Sequence, residues 1–152
     1  MSTNQIEVAA RPEDVFSALL DPDAYAQWVV GTKRVRAVDP SWPAVGARFH
    51  HTLEPDLRDN TEIEELIPPS RLVLLVRFRP VGVARVTIEL TAQGDEGRTQ
   101  VTLHETPLEG PAGRLQSPPV DLLYRLRNAL SLRRLARLVE RRVHAADRRP
   151  AR

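Results

Sequence analysis

Two histidines stand side by side, His50 and His51, in the stretch RFHHTLE at 48–54, which closes on the acid Glu54. The chain has only four histidines, so imidazole chemistry is concentrated here: metal ligation, general base catalysis, or a hydrogen bond to a ligand. The stretch reads as a β-strand, and a strand sends successive side chains to opposite faces. Ala47, Phe49 and Leu53 define its apolar face, so His51 points inward with them while His50 points away with Arg48, Thr52 and Glu54. One metal could take both imidazoles only across a bulge, and His104 has the wrong parity on its own strand to be a third ligand. No metal site is expected.

A second candidate group is Glu105, which shares a strand face with Val101 and Leu103. It reads as an inward acid that accepts a hydrogen bond from a ligand, or as a rim carboxylate paired with arginine. If His51 and Glu105 met across a concavity, they could act as acid and base in an aldol-type cyclisation or a dehydration. Taken alone, His51 reads as a hydrogen-bonded core histidine. Glu65 shares inward parity with Thr61 and Ile63. Arg77 and Arg79 alternate with Phe78; they form either an outer charge ladder with Glu62 and Glu64 or, with the strand inverted, a cationic face toward an anionic ligand. Tyr25, Trp28 and Phe49 read as core or pocket-wall aromatics. There is no cysteine, which removes thiolate chemistry. No nucleophile elbow, phosphate-cradling glycine loop or dinucleotide fingerprint occurs, and no cofactor is called for.

These groups must be positioned by a recognisable order of elements. Ile6, Val8 and Ala10 alternate as a first strand. Pro12 opens a short helix, and Asp21 with Pro22 caps and opens a second, DPDAYAQWV, where Tyr25 and Trp28 share a face. After Gly31 the period becomes two. Six more strands follow, with the turns marked by DPSWPAVG, Pro68–Pro69, Pro80–Gly82 and GDEG at 94–97. The proline- and glycine-rich segment 107–118 reads as a crossing loop. A long helix then runs from Pro119 to about Ala145, with an apolar stripe Leu122, Leu126, Ala129, Leu132, Ala136, Val139, Val143 flanked by Leu123 and Leu130. Asn128 lies on its flank, and Arg127, Arg134 and Arg141 mark its outer face.

Short connections predict an antiparallel meander, and a strongly curved sheet buries its concave face only if the terminal helix fills it. The predicted architecture is therefore α+β: seven antiparallel strands wrapped around the last helix. A mostly apolar pocket is expected between them, with Tyr25, Trp28, Phe49, His51, Glu65, Phe78, Glu105, Leu126, Asn128 and Leu130 as its candidate ligand contacts. At 152 residues the chain has the length of one domain, read as 1–146 with a frayed basic tail at 147–152.

Charge is unevenly spread. Residues 1–113 hold 11 Lys+Arg against 17 Asp+Glu, and residues 114–152 hold 11 against 3. A basic last helix suggests a face for a partner, nucleic acid or an anionic membrane surface, but Tyr124 and His144 are the only aromatic rings beyond residue 113, which argues against base stacking. Twenty-one of the 22 basic residues are arginine, as expected of a GC-rich bacterial genome. The N-terminus lacks a basic stretch followed by an apolar run, and the longest apolar run, LVLLV at 72–76, is strand-sized; a soluble, cytoplasmic protein is expected.

Several motifs resemble one superfamily. PEDVFSALLDPDAYAQWV at 12–29, WPAVGARF at 42–49, TEIEELIPPSRLVL at 61–74, and HETPLEGP leading into RNALSLRRLARLVE are similar to the START-related helix-grip proteins. This is the SRPBCC group of polyketide cyclases/dehydrases and lipid-transfer domains, and the likeness spans residues 4–145. The resemblance implies the helix-grip fold and an apolar small-molecule ligand, lipid- or polyketide-like, with a cyclase/dehydrase-like enzyme as the alternative.

Overall fold

The computed structural model describes residues 1–94, 97–114 and 117–150. One antiparallel sheet contains β1 (Ser2–Val8), β2 (Thr32–Val38), β3 (Arg48–Leu53), β4 (Leu57–Ile67), β5 (Arg71–Phe78), β6 (Gly82–Gln93) and β7 (Arg98–Glu109). Helices α1 (Pro12–Leu19) and α2 (Pro22–Trp28) separate the first two strands; α3 (Pro111–Arg114) and α4 (Pro118–Asp147) follow the last. The spatial order is β1-β7-β6-β5-β4-β3-β2, so a six-stranded meander is completed by the first strand pairing with the last. This is the predicted helix-grip fold, with α4 packed on β1, α1 and α2. The GDEG turn falls partly on residues 95 and 96, and the end of the tail on 151 and 152, outside the described residues.

Local chemistry explains the elements. The Asp21 carboxylate accepts the Asp23 N–H at 3.0 Å and caps α2. Pro12 opens α1, with Glu13 and Asp14 in its first turn. The expected crossing loop is shorter than read, because β7 continues through Pro107 to Glu109 before Gly110 turns the chain. Gly110 has φ +86°, and a Cβ there would collide with the backbone of Val81 and Gly82, so only glycine lets β7 leave the sheet against that turn. No helix among the described residues is long and apolar enough to cross a membrane.

The core holds an aromatic cluster. The Tyr25 and Phe49 rings meet edge to face at 4.6 Å, Tyr25 and Trp28 at 5.8 Å, and Trp42 and Phe49 at 5.0 Å. Trp42, read from the sequence only as part of a turn, packs against this core and donates its indole N–H to the Leu20 carbonyl at 2.8 Å. His51 completes the cluster. As parity predicts, it points inward; it is fully buried, stacks on Tyr25 at 6.1 Å, and shares a hydrogen bond between Nε2 and Thr61 Oγ1 at 3.0 Å. His50 instead faces out near Asp39.

The stripe on α4 needs correcting. Leu132, Ala136 and Val139 are buried as expected, together with Leu135 and Leu138, but Leu122, Leu126 and Leu130 are 57%, 60% and 43% exposed. The buried N-terminal residues are Asn128 and Ser131. Two helical residues span about 200° of rotation, so burying Asn128 forces Leu126 and Leu130 to the opposite side. The outer-face reading of Arg127 is overturned for the same reason, since it lies next to Asn128 on the inward side.

Two outcomes follow. Leu135→Ala should cost about 2–5 kcal/mol of stability while Leu126→Ala changes it by no more than about 0.5 kcal/mol, measured by denaturant unfolding; comparable losses would mean the helix is rotated otherwise. Burial pushes the His51 imidazole down to about 4, against the opposing pull of the Asp59 carboxylate. The unfolded chain therefore takes up a proton that the folded one refuses, so this stability is complete above about pH 6.5 and is lost as pH falls toward 4. Unfolding free energy should drop by about 2 kcal/mol more between pH 7 and 5 in the parent than in His51→Gln; identical profiles would place a charged imidazole in the folded protein.

Candidate functional site

Between the sheet and the N-terminal half of α4 lies a cavity of about 460 Å3. Its floor is strand side chains of one parity: Leu74, Val76 and Phe78 of β5, Val86 and Ile88 of β6, and Leu103 and Glu105 of β7. Alternation puts these on the concave face because their neighbours carry the outer charge ladder. Arg77 donates to Glu62 and Asn60 at 3.0 and 2.9 Å, and Arg85 to Glu64 at 2.7 Å. Arg79 forks onto Asp59 at 2.8 and 3.0 Å. The sheet strand carrying Phe78 thus has the outer-ladder orientation for Arg77, and the inverted one is excluded.

The opposite wall comes from α2 and the helix. Tyr25, Trp28 and the segment Val29–Gly31 form one side, and Leu123, Tyr124, Arg127, Asn128 and Ser131 the other. Polar contacts lock these walls together. Ser131 Oγ accepts the Val30 N–H at 3.0 Å, and Arg127 Nε donates to the Val30 carbonyl at 3.1 Å. On the sheet side, Asn128 Nδ2 donates to Glu105 Oε2 at 2.6 Å and to Ser2 Oγ at 3.1 Å. Ser2 is near because it pairs with Glu105 in the β1–β7 register.

The polar end of the cavity is centred on Glu105, 5% exposed. Arg127 Nη1 stands 3.7 Å from Glu105 Oε1, a distance that balances charge without consuming the oxygen in a tight hydrogen bond. Two phenols, those of Tyr25 and Tyr124, belong to the same cavity wall. Burial raises the Tyr25 hydroxyl, against the lowering contact of Thr61, and burial and then the Glu105 charge raise that of Tyr124. Both phenols therefore stay neutral donors at physiological pH. A carboxylate with a free oxygen, a guanidinium and the Tyr124 phenol in the wall of an apolar cavity can orient a ligand by its hydroxyl or carbonyl.

Of the ten candidate contacts, Tyr25, Trp28, Phe78, Glu105 and Asn128 line this cavity. The other five do not. Phe49 and His51 lie behind Tyr25 in the closed core, 1% and 0% exposed, so the adjacent-histidine signal leads to packing rather than to the cavity wall. Glu65 is displaced by a bulge between Ile63 and Glu65; the extra residue shifts the alternation, and Glu65 pairs with Arg71 at 3.3 Å instead. Leu126 and Leu130 lie on the far side of α4. Arg127, Tyr124 and Ser131 were missed as wall residues, although Tyr124, Arg127, Asn128 and Ser131 repeat at spacings of three and four, the signature of a polar face on a helix. Among the described residues, no group of three or more His, Asp or Glu is placed to hold a metal ion.

Comparison with known proteins agrees with this fold. A conserved protein from Geobacillus kaustophilus superposes with a TM-score of 0.71 at 20% identity, covering 91% of this chain and 94% of that one. Protein CV1439 from Chromobacterium violaceum does so at 0.61 and 26% identity, covering 92% and 99%. DynU16, a protein of the dynemicin biosynthetic locus, superposes at 0.68 and 22% identity, covering 91% of this chain and 46% of its own. No curated protein matches the chain. The family model described as Activator of Hsp90 ATPase homolog 1-like protein matches residues 9–118, within the SRPBCC superfamily that the sequence motifs resemble. The chain belongs to the family of Activator of Hsp90 ATPase homolog 1-like proteins.

Proposed function

We propose that this protein binds a small apolar molecule, lipid- or polyketide-like in character, in the cavity between sheet and α4. The carrying observation is the composition of the wall: aliphatic and aromatic side chains of the sheet and the facing helices surround the buried carboxylate of Glu105, while Glu54, the other acid of the lining, is exposed. The volume of about 460 Å3 falls within the range of roughly 300–1,000 Å3 typical of small-molecule sites. An apolar body is driven in by burial of its surface. Orientation comes from the end group, because Glu105 and the Tyr124 phenol leave a hydrogen-bonding site that an unsubstituted hydrocarbon would not fill. A hydroxylated or phenolic ligand fits that requirement.

The rival reading, a cyclase/dehydrase-like enzyme using His51 and Glu105 as acid and base, loses one partner, since His51 is fully buried and is not in the cavity wall. No specific observation favours the basic helix as a macromolecular docking element over the cavity.

Two experiments test the proposal. Titration calorimetry with 2-naphthol should show saturable binding, and Val86→Trp, which fills the cavity, should abolish it while the circular dichroism spectrum is kept; binding that persists in the filled variant would place the probe elsewhere. Glu105→Gln should weaken 2-naphthol by about tenfold, as expected for loss of a hydrogen bond to a charged group, and leave naphthalene within about twofold. Equal weakening of both probes would show that Glu105 shapes the cavity without reading the ligand.

A further inference from the structure

On the outer face of the sheet, three side chains stand in a cross-strand row away from the cavity. Arg34 of β2 pairs in register with Thr52 of β3, and Thr52 pairs with Arg58 of β4. The β2–β3 ladder is shifted between Thr32 and Arg34, leaving Lys33 as the extra residue of its strand. A bulge re-aims neighbouring side chains, and here both Lys33 and Arg34 reach the same depression, which Thr52, Arg58 and Asp56 complete. Its volume is about 230 Å3.

Charge and hydrogen bonding within it are unbalanced. Lys33 is satisfied, donating to Asp56 at 2.9 Å and to the Pro55 carbonyl at 3.5 Å, and that ammonium holds the Asp56 carboxyl below its usual range. Arg34 and Arg58 have no hydrogen-bond or ion-pair partner among the described residues. Between them, Thr52 is only 3% exposed, and its Oγ1 is buried without a partner. Most outer-face cations of this sheet are spent on acids, as Arg48 and Arg77 are on Glu62 and Arg85 on Glu64. A buried hydroxyl left unmade costs free energy, and two free guanidinium groups beside it supply the charge that an anionic acceptor needs.

We propose that this depression binds a phosphoryl group, carried by free phosphate or by the head of an amphiphile. Arg34 and Arg58 present paired N–H donors to its oxygens, and Thr52 Oγ1 donates to a further oxygen. Lys33 adds field while keeping Asp56 from repelling the ligand. Leu53, Glu54 and Leu57 of the same hairpin line the cavity, so an amphiphile held here by its head would have its tail beside the cavity rim.

The test is amide NMR of the full chain, titrated with inorganic phosphate and separately with hexyl phosphate at constant ionic strength. Saturable shifts should centre on residues 33–34, 51–53 and 56–59, disappear in the Arg34→Gln/Arg58→Gln double variant, and require about tenfold more phosphate in Thr52→Val. If hexyl phosphate binds more tightly and Val86→Trp removes that advantage, the group is an amphiphile's head; equal affinities assign it to free phosphate. Shifts that are absent, that never saturate, or that survive in the double variant overturn the proposal. The Arg34, Arg58 and Thr52 substitutions are made on the outer face and Val86→Trp in the cavity, and the amide spectrum itself reports whether each variant is folded.

Discussion

The amide of Asn128 sets the rotation of α4 on the sheet. With its Nδ2 bonded to both Glu105 and Ser2, the helix cannot turn its leucines inward without stranding a buried carboxylate. Unpaired buried charge is costly, on the order of several kcal/mol, whereas Leu122, Leu126 and Leu130 stay about half covered and each forfeits only part of the roughly 1.5–3 kcal/mol of full burial. Polar pairing therefore wins at this end of the helix, and ordinary apolar packing through Leu132, Leu135 and Val139 wins at the other. Space remains between sheet and helix where the polar residues face in, and this is the cavity.

The same division explains why the core and the cavity are chemically distinct although they touch. Tyr25 belongs to both, with its ring stacked on His51 and edge to face with Phe49, and its side chain in the cavity wall. Behind it the packing is closed, and the imidazole is held neutral by burial. In front of it Glu105, Arg127 and Tyr124 keep a polar end that no group among the described residues saturates. A fold stabilised mainly behind Tyr25 tolerates an unfilled space before it, since the two are supported by different contacts.

Much of this was legible in the sequence. Alternation placed Glu105 and His51 on the inward face, split His50 from His51 and gave the antiparallel meander, and the Asp21 cap marked the second helix; the pairing of the first strand with the last and the orientation of the strand carrying Phe78 came only from the structure. Two kinds of error remained, each with a physical cause. An alternating pattern carries no mark of a bulge, so Glu65 was assigned to the wrong face. On α4, leucines outweighed polar residues in the helical pattern, and the inward row Tyr124, Arg127, Asn128, Ser131 was passed over because sequence periodicity counts hydrophobicity and cannot register a buried hydrogen-bond partner on a distant strand. The partner, Glu105, had already been identified; only the pairing was invisible.

The central claim is that Glu105, fixed by Asn128, is the polar anchor of an apolar ligand cavity. A crystal structure with a bound phenolic probe tests it most directly. The claim predicts density filling the space between β5, β6, β7 and α4, with the probe hydroxyl within hydrogen-bond distance of Glu105 and its apolar body toward Leu74 and Val86. A probe bound outside that space, or bound within it with its hydroxyl turned to the mouth and its ring against Glu105, would contradict it.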